Sequence, residues 1–212
     1  MYDRRQELEA AAEDIRADFV AKHAAREIGL ACCRQALRHS ANAIRIVHRS
    51  DFAAAEELLA QASELLQRAK TALADHPDIY YAGFVHDSQK EYAEGCTTLA
   101  LIAGRPLPTP KEIGVEYAAY LNGLGEAVGE LRRHLLDALR SGDVSHCEVC
   151  LANMDDIYSL LVTFDYPEAI TSGLRRTADA MRGILERTRG DFTLALCQRD
   201  LERKLGEFES RL

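Results

Sequence analysis

Only five prolines interrupt 212 residues, and three of them sit together in Arg105-Pro106-Leu107-Pro108-Thr109-Pro110. Between such breaks the chain runs for tens of residues in Ala, Leu, Glu and Arg, the residues that lose least on entering a helix. Trp is absent and Gly is scarce, at 13. No alternating apolar run marks a strand. The pattern therefore predicts an all-α protein: a single elongated bundle of seven helices with short links.

The breaks place those helices. The first ~50 residues read as one long or once-broken helix, with Gly29 as its soft point. Asp51 caps a second helix that ends near Ala74. Asp75-His76-Pro77-Asp78 is a turn, and Asp78 caps a third helix that stops near Gly104. Thr109 followed by Pro110 starts a fourth, since proline suits the first helical position. Ser141-Gly142-Asp143 separates the fourth from the fifth, and Asp165-Tyr166-Pro167 the fifth from the sixth. Arg189-Gly190-Asp191 divides the sixth from a seventh that ends near 210. One domain, 1–212, is expected, with residues 1–27 as an N-terminal helical arm.

Hydrophobic residues make up 47%, enough for a sizeable core, and the net charge is -8. That balance excludes a uniformly basic nucleic-acid binder but leaves room for a local basic face. No apolar stretch of about 18 residues exists, and no signal peptide is recognisable, so a cytoplasmic protein without a membrane span is expected. Six cysteines lack the spacing of a disulfide framework and are read as reduced thiols. His146-Cys147-x-x-Cys150 resembles half a zinc site. No second C-x-x-C or Cys/His pair completes it, so its cysteines are read as buried thiols.

Glu91-Tyr92-Ala93-Glu94 places two carboxylates roughly 60° apart on one helix. Asp87 extends the same stripe. On the fourth helix Glu126 and Glu130 lie one turn apart, and His134 continues their line. Packed antiparallel, the two helices can gather three or four carboxylates around a hard cation such as Mg²⁺ or Mn²⁺, which acidifies bound water against a phosphodiester. The same spacing also occurs on ordinary solvated helix faces, where Glu57, Glu64 and Lys70 are placed.

Arg34, Arg38, Arg45 and Arg49 wind into a row about 60° wide, with His48 beside it. A phosphate backbone suits such a row. Pairing with Glu56, Glu57 or Glu64 is the alternative. Arg132 and Arg133 stand next to Glu130, where they can hold a phosphate or pair with the acids. Tyr80, Tyr81, Phe84, Tyr117 and Tyr120 can stack bases of single strands, or serve as core and interface residues.

The chain resembles the translin superfamily, and within it the translin-associated factor X-like branch with its prokaryotic C3PO-type members. Two segments carry the resemblance. The family's Glu-Tyr-Val-Glu-Ala reads Glu91-Tyr92-Ala93-Glu94-Gly95 here. Its Tyr-Leu-x-Gly-x-x-Asp-x-x-Gly-Glu-Leu-x-Arg runs without a gap from Tyr120-Leu121 through Gly123, Glu126 and Gly129-Glu130-Leu131 to Arg133. At 126 this chain has Glu where the family commonly has Asp. The likeness covers roughly residues 28 to 206.

The resemblance implies a seven-helix fold, a homo-oligomeric shell (an octamer in the family) and a Mg²⁺-dependent endoribonuclease acting on single-stranded RNA, with single-stranded DNA a further partner. It implies Glu91, Glu94 and Glu126 as catalytic metal ligands with Glu130 beside them, and Arg34, Arg38, Arg45, Arg49, Arg132 and Arg133 as the RNA contacts. Two other readings remain open at this point. One is a non-catalytic single-strand-binding oligomer of the translin type. The other is an all-α Mg²⁺-dependent nucleotide pyrophosphatase, whose second acidic pair is normally spaced by three rather than four.

Overall fold

The computed structural model describes residues 4–210, and among them the chain is helical throughout, without a strand. The helices are α1 (Arg4–Val47), α2 (Phe52–Ala72), α3 (Pro77–Tyr80), α4 (Phe84–Ile102), α5 (Pro110–Ile113), α6 (Tyr117–Ser141), α7 (Val144–Leu161), α8 (Glu168–Thr171) and α9 (Leu174–Glu209). Six are long. The other three are single turns lying at the proline-containing breaks.

The count among the described residues is thus nine, not seven, and four local expectations are corrected. Gly29 does not soften α1, which is unbroken. The position is closely packed: a Cβ there would meet Leu73 Cδ1 at 2.8 Å, so that side chain would have to shift. Asp78 does not cap the third long helix. It lies in the one-turn α3 and pairs with Lys22 at 3.1 Å, while α4 starts after Gly83 at φ 102°. Thr109 and Glu112 do form a reciprocal capping box, but the helix they start ends after one turn at left-handed Gly114. Gly190 does not divide the last helix. Met181, Leu185, Thr188 and Phe192 keep one buried stripe running past it, and a lone glycine costs only about 1 kcal/mol.

The expected cap at Asp51 is present, accepting from the Ala54 amide (3.2 Å), and within the Ser141-Gly142-Asp143 break Asp143 caps α7 by accepting from the His146 amide (3.1 Å). α1 packs along α2 and α4, α4 along α6, and α6 against both α7 and α9. Leu73, Leu131, Leu135, Met154, Leu161, Leu174 and Met181 are almost wholly buried between them. Each such side chain contributes about 1.5–3 kcal/mol by leaving water. α4 and α6 are therefore the inner pair, and the faces they turn to one another are fixed by packing. α1 has no fully buried residue before Gly29, and α9 has none after Phe192.

Candidate functional site

The inner pair of helices brings the four predicted acids together. Glu91 and Glu94 come from α4, Glu126 and Glu130 from α6. Glycine makes the approach possible: a Cβ at Gly123 would lie 2.5 Å from the Lys90 carbonyl oxygen and 2.9 Å from the Glu94 amide nitrogen. α6 thus rests directly on the α4 backbone at the turn that carries the acids. Gly125 lets α9 side chains pack close, since its Cβ would meet Thr177 Cγ2 at 2.4 Å. A cleft of about 260 Å³ opens on Glu94 and Glu126 and is closed by Thr177, Met181 and Ile184 of α9.

Electrostatics separates the four groups. Glu94 is buried, 9% exposed, and its carboxyl is pushed up to about 8, first by burial and then by the charges of Glu91, Glu126 and Glu130. Glu91 is raised for the same reasons, burial first. Neither carboxylate makes a hydrogen bond or ion pair within the described chain. Glu126 is drawn to Lys90, Nζ to Oε1 2.6 Å. Glu130 is drawn to His48 Nε2 at 2.5 Å, and this bond, with Arg133 adding to it, holds its carboxyl below the usual range. The cluster is an anionic pocket whose members repel, two of them pulled aside by basic neighbours.

By donor type these residues suit a hard divalent cation. The donors are carboxylate oxygens, Glu94 and Glu126 line one cleft, and Glu91 and Glu94 lack any other partner, but the side chains must turn inward for their oxygens to share one ion. Burying uncompensated acid is unfavourable, and a cation removes that cost. The Lys90–Glu126 pair is half-exposed, so it contributes on the order of 0.2–1 kcal/mol and can yield to metal coordination.

The predicted arginine row is exposed, but the helix ends before its last member. Arg34, Arg38 and Arg45 are exposed on α1, and Arg49 is exposed in the turn just past its end at Val47. None forms an ion pair with a described residue; Arg45 bonds only to Asn42, and Glu56 pairs with Arg105 instead. His48 links the row to the acids, because its ring reaches inward to Glu130 from the turn that ends α1. Arg132 is differently employed: its guanidinium donates to Thr188 (2.9 Å) and Asp191 (2.7 Å), tying α6 to α9. Arg133 remains more than half exposed, 3.8 Å from Glu130. Of the aromatics, Tyr80, Phe84 and Tyr120 pack against the core, Tyr120 donating to the Pro108 carbonyl. Tyr81 and Tyr117 are exposed.

Three features escaped sequence reading. Lys90 is one, although its place directly before Glu91 could have signalled it. Gly123 is another; a run of glycines within a helix is a readable sign of close approach. The third is a separate cluster. His134 from α6 and His146 and Cys150 from α7 place their ligand atoms within 4.8 Å of one another.

No known family model matches the chain. It is 32% identical over 173 residues, 80% of this chain and 76% of the relative, to an uncharacterized protein of Methanocaldococcus jannaschii. Among solved structures it superposes on AfC3PO bound to duplex RNA, with a TM-score of 0.82 and 35% identity across 89% of this chain and 98% of that one. AfC3PO alone matches at 0.82 and 34%, over the same shares. The chain belongs to the translin superfamily, as a C3PO-type protein. A third structure, apo-NeC3PO, shares the fold at a TM-score of 0.73 and 18% identity, over 92% of this chain and 98% of that one. The translin-like all-α architecture is thereby established. Among the described residues no helix is long and apolar enough to cross a membrane.

Proposed function

We propose that this C3PO-type protein is a metal-dependent endoribonuclease that hydrolyses phosphodiester bonds of RNA inside a homo-oligomer. The observation that carries this reading is the pair Glu91 and Glu94: half-buried and buried carboxylates without a hydrogen-bond or ion-pair partner, with Glu94 sharing a cleft with Glu126. A protein that only bound RNA would gain nothing from burying like charges at the touching faces of its two inner helices.

Glu91, Glu94 and Glu126 would hold Mg²⁺ or Mn²⁺, and the bound cation would supply an acidified water and neutralise phosphate charge. Glu130, held charged by His48, adds negative potential without competing directly for the ion. Arg34, Arg38, Arg45 and Arg49 collect the phosphate backbone along α1 and the turn after it, and Arg133 stands beside Glu130. That AfC3PO has been solved with duplex RNA supports RNA as the polymer.

The test is cleavage of end-labelled RNA, single-stranded and duplex, with Mg²⁺ or with chelator, beside Glu126→Ala and Glu94→Gln. Loss of cutting in chelator and in both variants, with RNA binding retained, supports the nuclease. Binding without cutting by the wild type would establish the non-catalytic alternative. Single-stranded DNA and nucleoside triphosphates belong in the same series, because turnover of the latter alone would indicate a pyrophosphatase.

A further inference from the structure

We propose that His134, His146 and Cys150 form a second metal site, for a borderline transition cation of the Zn²⁺ class, which clips α6 to α7. The site is independent of the acidic centre and of the nuclease reading.

His146 and Cys150 are one turn apart on α7, so both side chains leave the same face. α6 packs against that face and brings His134 to it. The Nε2 atoms of the two histidines stand 2.7 Å apart, their rings edge to face with centroids at 4.8 Å. All three ligand atoms lie within 4.8 Å of one another, a grouping that no other set of three or more His, Cys, Asp or Glu among the described residues attains. Zinc binds imidazole nitrogen at about 2.0–2.1 Å and thiolate sulfur at about 2.3 Å, which sets neighbouring ligands in a tetrahedron roughly 3.3–3.8 Å apart. The two nitrogens must part by about half an ångström and the widest pair of ligand atoms close by up to about one, both within rotation about side-chain bonds.

The donor set selects the ion. Two imidazoles and a thiol suit zinc, cobalt or nickel and disfavour Mg²⁺, which asks for oxygen. Cys150 is buried, while both histidines are half-exposed, so a fourth position is open to water. Cys147 does not take part. Its Sγ turns to the carbonyl oxygens of Asp143 (3.1 Å) and Leu135 (3.5 Å) within a small apolar cluster. The ligand pattern is therefore His-x-x-x-Cys plus a histidine from the preceding helix, not the C-x-x-C that the sequence displays. The clip also stands next to the acidic centre: the ring of His134 lies 6.3 Å from that of His48, which bonds Glu130.

The experiment uses full-length protein stripped with chelator, then given Zn²⁺ or Co²⁺ and passed through a desalting column. We expect one equivalent retained per chain and an unfolding temperature raised by about 3–5 °C, since an ion bound only by the folded state stabilises it. With Co²⁺ we expect thiolate-to-metal charge-transfer absorption in the near ultraviolet. Cys150→Ser should lose that absorption, His134→Ala should lose the retained equivalent, and Glu126→Gln should change neither. Wild-type protein that keeps no metal and shows no thermal shift overturns the site. So does a charge-transfer signature that survives Cys150→Ser and His134→Ala.

Discussion

Glu94 makes a strong physical demand on its surroundings. Its carboxyl is displaced upward, from 4.5 to about 8, chiefly by burial and then by three neighbouring acids. In the metal-free protein the folded state therefore holds a proton that the unfolded chain has released. Stability contributed by the neutral form is complete at low pH and is lost as pH rises from about 4.5 through 8, at up to about 1.4 kcal/mol per pH unit. Glu94→Gln should flatten that slope and raise the urea midpoint of metal-free protein at pH 8.5, read by circular dichroism. An unchanged slope would mean that Glu94 is charged and solvated in the folded protein. Lys90 offers the converse case. It competes with a cation for Glu126, so Lys90→Gln should tighten Mn²⁺ binding by about five-fold in calorimetry, as removal of a half-exposed ion pair allows. Weakened Mn²⁺ binding in that variant would show that Lys90 positions Glu126 rather than diverting it.

At the scale of elements, the approach of α4 and α6 sets the site, and Gly123 sets the approach. A methyl at 123 would press on the backbone of Lys90 and Glu94, which cannot yield as a side-chain tip can. Gly123→Ala should cost about 1–3 kcal/mol in urea denaturation and abolish stoichiometric Mn²⁺ binding, whereas Gly129→Ala, which meets nothing within 4 Å, should do neither. Equal behaviour of the two variants would remove the close approach from the account.

The acidic pairs were legible before the fold because helical period alone assigns carboxylates to a face, and the resemblance joined the two helices. The helix count was less legible. Proline and capping signals at Thr109-Pro110 and Asp75-His76-Pro77-Asp78 mark a helix start without saying how far the helix runs, and in both cases one turn precedes a second break. At Gly29 and Gly190 the same residue type that ends helices elsewhere serves packing or is merely tolerated. The His134–His146–Cys150 cluster was not legible at all as a set, because it needs the register of α6 against α7, which local pattern does not encode.

For the whole molecule, the two ends of the longest helices stand out. Leu8, Ile15 and Phe19 on α1 form one exposed apolar stripe at i, i+7 and i+11. Leu194, Leu201, Leu205 and Phe208 form another on α9. Seams of this spacing suit helix–helix association and are costly to leave in water. They favour the homo-oligomer proposed above over a monomer. Phe19→Asp combined with Leu205→Asp should lower the mass seen by light scattering to that of smaller assemblies while leaving helicity intact. A wild-type protein that is already monomeric would contradict this.

The account turns on whether the carboxylates of α4 and α6 share an ion. A crystal of the protein soaked in Mn²⁺ and measured for anomalous scattering asks this directly. The account predicts a peak bounded by Glu91, Glu94 and Glu126, with the Glu126 side chain turned away from Lys90. An empty cleft at saturating Mn²⁺, with Glu126 still bonded to Lys90, would contradict it.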